Sequence, residues 1–112
     1  MSSPLPPNDA LAEFISAMGD DNVRKLVGTF LRDFPNSMRD LAVADRKNGR
    51  RIAHRMKSEA RMMGATALAQ RMLELQERLT PEIGRAFEPS DLVAIQADFD
   101  AIAPTLRRYV GD

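Results

Sequence analysis

Apolar residues recur every three or four positions along most of the chain, which is the spacing of one face of an α-helix. The first stripe is short and is predicted to end at Gly19, with Asp20 and Asp21 capping the helix that follows. The second stripe keeps its period through Pro35 as far as about Arg46. We therefore predict one long second helix with a kink at Pro35, or alternatively two helices that meet there.

A third stripe predicts a third helix over 50–63, and this helix carries the only histidine. Asn48 and Gly49 form a strong helix stop before it, and Gly64 ends it. The apolar residues of the stripe are Ile52, Met56, Ala60 and Met63.

Two more stripes predict the fourth and fifth helices. The fourth is predicted to start with a cap at Thr66 and to end at 80–81, where a polar loop begins. The fifth is predicted to open at Ser90 and Asp91, to bend at Pro104, and to close before the last glycine.

These helices define a fold class, because no segment alternates with period two as a strand would. The sequence predicts an all-α protein, an antiparallel four-helix bundle with a short additional N-terminal helix. Residues 1–7, rich in proline and serine, are predicted to be a flexible lead-in. Residues 8–112 are predicted to be a single domain whose first helix is capped by Asn8 or Asp9. Because the sequence starts with Met1 and its last helix is predicted to be complete, we expect a free-standing protein.

Composition narrows the function. The chain has 112 residues, 44% of them hydrophobic, with 16 basic and 16 acidic residues, one histidine and no cysteine. The absence of cysteine excludes disulfides and thiol nucleophiles, and a single histidine excludes two-histidine metal motifs. No apolar run approaches the roughly 20 residues of a membrane span, and no secretory signal or glycine-rich ATP loop is present. We expect a cytoplasmic protein with no membrane association, no ATP site and no cofactor of its own.

Positive charge is concentrated around the single histidine, His54. At about 100° per residue, His54 falls about 160° from Met56 at the centre of the third stripe, so it is predicted to face solvent. Arg51, Lys57 and Arg61 share its face at helical spacing. These cations would stabilise the negative charges of a phosphoryl group on the imidazole. The basic residues of this segment are Arg46, Lys47, Arg50, Arg51, Arg55, Lys57 and Arg61, and its only acid is Glu59.

The residues around His54 resemble the signature of histidine-containing phosphotransfer (HPt) domains. Residues 53–65 read AHRMKSEARMMGA, similar to the family pattern A-H-x-L-K-G-x-A-x-x-x-G-A. The likeness covers about 20–80, including Phe30 to Pro35 before the histidine helix. It continues into the fourth helix at Leu68, Met72, Leu75 and Gln76.

The resemblance implies roles for four residues. It makes His54 the phosphorylated histidine and Lys57 the lysine whose ammonium lies beside the phosphoryl group. It matches Gln76 to a position that can hydrogen-bond near the imidazole. Ser58 departs from the family, which usually has glycine there so that a partner can approach closely. The serine hydroxyl could bond the imidazole, the phosphoryl group, or the carbonyl one turn earlier.

The resemblance also implies a function. His54 would accept a phosphoryl group from a receiver aspartyl phosphate and pass it to another receiver aspartate in bacterial two-component signalling. The implied partners are receiver domains of response regulators or hybrid histidine kinases, and Mg²⁺ would be bound by the receiver. We expect a monomer.

The predicted docking surface is the exposed face of the third helix with the adjoining face of the fourth. Its named residues are Arg51, Arg55, Arg61 and Met62. Two alternatives remain open. One is a nucleic-acid-binding module that uses the basic third helix, although zero net charge and the lack of aromatics among the cations argue against nucleic acid as a partner. The other is an adaptor that docks receivers without being phosphorylated, which Ser58 keeps open.

Overall fold

The computed structural model describes residues 5–79 and 88–111, and within them the chain forms five helices and no strand. The all-α prediction is therefore confirmed. The predicted loop after the fourth helix and its end at 80–81 lie outside the described residues, as does most of the lead-in. The helices are α1 (Asp9–Met18), α2 (Asp20–Val43), α3 (Arg46–Met62), α4 (Thr66–Leu79) and α5 (Pro89–Val110).

The four longer helices form the predicted bundle. α2 packs against α3 and α5, and α4 packs against the same two helices, so each of the four has two neighbours in a closed ring. α3 and α4 share the most extensive interface and run antiparallel, because only 63–65 join them. α1 packs across α2 and α3.

Aromatic residues link α2 to α5 in the core. The rings of Phe34 and Phe99 are stacked with their centroids 3.7 Å apart, and Phe30 lies 5.8 Å from Phe99. All three side chains are buried. α2 continues as one helix through Pro35, which decides between the two predicted alternatives in favour of a single helix. Pro35 itself is exposed.

The boundary between α2 and α3 was predicted wrongly. α2 ends at Val43 rather than near Arg46, and α3 starts at Arg46 rather than Arg50. The reason is a local cap, because the side chain of Asp45 accepts a hydrogen bond from the Asn48 backbone N–H at 2.8 Å. Asn48 therefore lies in the first turn of α3 and does not stop a helix. The histidine helix gains a further basic turn.

The start of α2 also differs from the prediction. Gly19, with φ of +89°, ends α1 and precedes α2 without a side-chain cap. Asp20 is the first residue of α2 and accepts hydrogen bonds from Arg24 at 2.6 Å and from the Tyr109 hydroxyl at 2.7 Å. The aspartate that was predicted to cap α2 instead connects it to α5. At the start of α1, Asn8 is the cap, and its side chain accepts from the Leu11 N–H.

The last two helices begin one or two residues from the predicted caps. Thr66 is the first residue of α4 rather than its cap. α5 begins at Pro89, and Glu88 precedes it in a capping box with Asp91. α5 continues through Pro104. No helix of the described residues is long and apolar enough to cross a membrane.

Small residues line the buried side of α3. Ala53 and Ala60 are fully buried, and Gly49 is buried near the start of the helix. Side chains this small let a neighbouring backbone approach closely. α4 contributes Ala69 from its own buried side. This close packing of α3 and α4 brings Gln76 of α4 near His54 of α3.

Candidate functional site

His54 is exposed at the middle of α3, as its helical spacing predicts. The neighbouring Ala53 and Met56 are buried, so the helix is anchored on one side while the imidazole lies on the other. This exposed position offers the imidazole as a nucleophile to a partner.

Gln76 brings α4 to the imidazole. Its Oε1 lies 3.4 Å from Nδ1 of His54. An amide oxygen can only accept, so this contact favours the tautomer in which Nδ1 carries the proton and Nε2 keeps its lone pair. The sequence predicted a side chain near the imidazole at this position, and the structure brings the two together.

Ser58 lies one turn after His54 and is exposed. Its hydroxyl donates to the His54 backbone carbonyl at 3.2 Å. This is the bond to the carbonyl one turn earlier, one of the three partners that the sequence left open.

Lys57 lies next to His54 on α3 and is half-buried. Side chains on a helix lean toward its N-terminus, which directs the long lysine stem back toward the His54 turn. Lys57 forms no hydrogen bond or ion pair with the described residues. Its ammonium is thus available to an anion at the imidazole.

Two of the predicted docking residues lie on the exposed face of α3. Arg51 and Arg61 are exposed, and in the described part of the chain neither is paired with a carboxylate. Arg61 borders a cavity of about 330 Å³ that also contacts Gln70 of α4. The positive charges of Arg51 and Arg61 are therefore available to the carboxylates of a partner.

The other two predicted docking residues face α2. The guanidinium of Arg55 donates to Ser37 Oγ of α2 at 3.0 Å and lies 3.4 Å from a carboxylate oxygen of Glu59. Met62 is half-buried and borders a 130 Å³ pocket with Phe30 of α2. The predicted docking surface included Met62, and the structure places this residue at the α2 side of α3. Helical spacing gives the angle of each side chain about the axis of α3, but it does not identify the helix that packs at that angle.

Glu59 is the acid at this α2 edge. Burial raises the pKa of its carboxyl group, and Asp33 of α2 raises it further, whereas Arg55 lowers it. Loss of hydration on burial is the largest of these three effects on the Glu59 pKa. Glu59 and Asp33 therefore place negative charge at the α2 side of α3.

Two basic residues near His54 were missed as site residues. Lys47 and Arg50 lie seven and four positions before it, and they line a cavity of about 250 Å³ together with Arg51, His54 and Gln76. We call these five residues the cationic cup. Helical spacing could have identified Lys47, but the predicted start of the third helix at Arg50 placed it outside the helix. No group of three or more histidine, cysteine, aspartate or glutamate residues in the described ranges could hold a metal ion.

Comparison with protein families identifies the class. The family model described as Hpt domain matches residues 25–105, which includes α3, α4 and most of α2 and α5. The chain belongs to the Hpt domain family. Hpt domains act in phosphotransfer in phosphorelay signalling and interact with receiver domains. Searches of the curated proteins and of the solved structures found no match. The family match extends to the last helix, which the signature around His54 did not reach.

Proposed function

We propose that this chain is a phosphorelay intermediate in which His54 accepts a phosphoryl group from the aspartyl phosphate of one receiver domain and passes it to the aspartate of another. The observation that carries the proposal is the contact between Nδ1 of His54 and Oε1 of Gln76 on an exposed face of α3. It orients the imidazole with Nε2 as the nucleophile.

The transfer step needs one bond to form and one to break. The lone pair of Nε2 on His54 attacks phosphorus, the Nε2–P bond forms, and the bond from phosphorus to the aspartyl oxygen breaks. The electron pair of that bond leaves with the receiver carboxylate. The Nδ1 proton stays on the ring, where Gln76 Oε1 stabilises the positive charge that the ring acquires. Transfer to the second receiver is the reverse of this step.

The remaining groups act by electrostatics and access. The ammonium of Lys57 offsets charge on the transferring group from this side. Mg²⁺ held by the receiver supplies the corresponding charge on the partner's side. Ser58 keeps its hydroxyl on the His54 carbonyl, which leaves the space beside the imidazole to the partner.

The exposed cations of α3 are suited to an acidic receiver surface. Arg51 and Arg61 lack carboxylate partners among the described residues, so they attract an approaching acidic domain and speed encounter. Arg55 and Met62 extend the surface at the α2 edge. The chain acts in this proposal as a cytoplasmic monomer of a bacterial two-component pathway.

The test is phosphorylation of a His54→Gln variant by a phosphorylated receiver. We expect the acid-labile, base-stable label of the unaltered protein to disappear while helical circular dichroism is unchanged. Gln96→Ala, an exposed change on α5, is the control and should keep the label. A label that persists without His54 would contradict the proposal. Receiver binding in the unaltered protein without any label would favour the adaptor alternative.

A further inference from the structure

The cationic cup lies on the N-terminal side of His54, whereas Lys57 lies on the C-terminal side. Lys47, Arg50 and Arg51 are exposed, and no carboxylate of the described residues pairs with any of them. Gln76 closes the side toward α4. The cup is therefore a concave surface with positive charge and a reactive ring at its edge.

The direction of helical side chains places the imidazole over the cup. A side chain on a helix covers the surface of the turn N-terminal to its own Cα. For His54 that turn holds Arg50 and Arg51. His54 lines the same cavity as Arg50 and Arg51, which agrees with this direction. A group attached to Nε2 lies within reach of the long cationic side chains of that turn and of Lys47 one turn earlier.

We infer that the cup binds the phosphoryl group after transfer, with Lys47 and Arg50 as its main ligands, and thereby prolongs the lifetime of phospho-His54. This inference rests on the proposed function and adds residues to its site. Between encounters with receivers, the cup binds the oxygens of the dianionic phosphoryl group. Without the cup, Lys57 would be the only cation on these oxygens, and water would solvate the rest. Lys47 and Arg50 therefore serve to store the phosphoryl group, whereas Arg51 at the same cup also attracts the receiver.

Phosphoryl-group chemistry explains the longer lifetime. In hydrolysis, a water oxygen forms a bond to phosphorus, the Nε2–P bond breaks, and its electron pair goes to Nε2. The imidazole leaves with its Nδ1 proton, and the attacking water gives up a proton to solvent. The transition state is loose, and in it the phosphoryl group has moved away from Nε2. Contacts that the cup makes to the group while it is bonded to Nε2 weaken as the group moves away. They therefore stabilise the ground state more than the transition state, which slows hydrolysis.

The test measures decay of phospho-His54 without any partner. Potassium phosphoramidate phosphorylates the full chain, excess reagent is removed, and intact-mass spectrometry follows loss of the phosphoryl group near neutral pH. We expect decay about threefold faster in Arg50→Gln and about tenfold faster in Lys47→Gln/Arg50→Gln, the scale of charge-assisted contacts to an exposed anion. Added salt should speed decay in the unaltered protein more than in the double variant.

A matched control removes the same two charges elsewhere. Lys25 and Arg107 are exposed and line no part of the cup, and Lys25→Gln/Arg107→Gln should decay like the unaltered protein. The inference would be overturned if the unaltered protein, the Lys47→Gln/Arg50→Gln variant and the control decayed at the same rate. It would also be overturned if the control decayed as fast as the Lys47→Gln/Arg50→Gln variant. Transfer from the same preparations to a receiver tests the proposed function separately. Failure of His54 to take up phosphate from phosphoramidate would overturn both.

Discussion

Asn8 and Gly64 are in contact although they are far apart in sequence. Asn8 caps α1 through its Oδ1, and its Nδ2 donates to the Met63 carbonyl at 2.8 Å. A Cβ on Gly64 would overlap with the Asn8 side chain, and Gly64 has φ of +71°. The turn between α3 and α4, which sets His54 against Gln76, is therefore held by the cap of the first helix.

This contact predicts a cost for Gly64→Ala. The change combines left-handed strain with the overlap at Asn8, and we expect it to lower the free energy of unfolding by about 2–4 kcal/mol. Gly111→Ala is the control, because Gly111 lies in the left-handed region with φ of +98° but a Cβ added there would have no atom within 4 Å. That variant should lose only about 1 kcal/mol. Urea denaturation followed by circular dichroism gives both values, and equal losses would contradict the role of Asn8.

Lys57→Ala should slow phosphoryl transfer without unfolding the bundle. The lysine forms no ion pair with the described residues, so the free energy of unfolding should change by less than about 0.5 kcal/mol. Loss of its charge near the transferring group should slow transfer about tenfold. Rapid-quench kinetics with a receiver in both directions measures this effect. Lys25→Ala serves as the control, and unchanged rates for Lys57→Ala would remove the lysine from the site.

Arg51→Glu and Arg55→Glu should have different effects. Arg51 is unpaired among the described residues, so its reversal should slow receiver association about tenfold at low salt and leave stability nearly unchanged. Arg55→Glu loses the bond to Ser37 and places a second carboxylate beside Glu59, so it should also destabilise the fold. Stopped-flow association and thermal denaturation separate the two effects. Destabilisation by Arg51→Glu alone would contradict this assignment.

Ser58→Tyr should block transfer by steric exclusion. Ser58 is exposed one turn from His54, where a large ring would occupy the partner's approach. Ser58→Gly should allow transfer at least as fast as in the unaltered protein. Receiver-dependent labelling of His54 distinguishes these variants, and full activity of the tyrosine variant would place the partner elsewhere.

Tyr109 predicts a stability loss at alkaline pH. Burial raises the pKa of its hydroxyl to about 12, and the hydrogen bond to Asp20 acts in the same direction. A raised pKa stabilises the folded state fully below the unfolded value of about 10. That contribution is lost as pH rises from about 10 to 12, where the unfolded state releases its proton first. Tyr109→Phe should abolish this part of the alkaline loss in urea denaturation at several pH values, and an unchanged profile would contradict it.

The helical pattern determined much of this protein, because local periodicity depends on few distant contacts. It established the all-α class and the exposure of His54 opposite Met56, whereas the structure decided that α2 is a single helix through Pro35. The residues of the His54 signature pointed to the family that the Hpt domain match identifies. The start of α3 was misplaced, since the Asp45 cap outweighed the tendency of Asn48 and Gly49 to end a helix.

The tertiary structure alone decided what lies on either side of α3. A position on a helix defines an angle about its own axis, and the neighbouring helix at that angle depends on packing of the whole bundle. Packing turned Arg55 and Met62 toward α2 and brought Gln76 of α4 to the imidazole. It also enclosed Lys47 in a cavity with His54, because the capped first turn of α3 continues the helix and α4 closes its side.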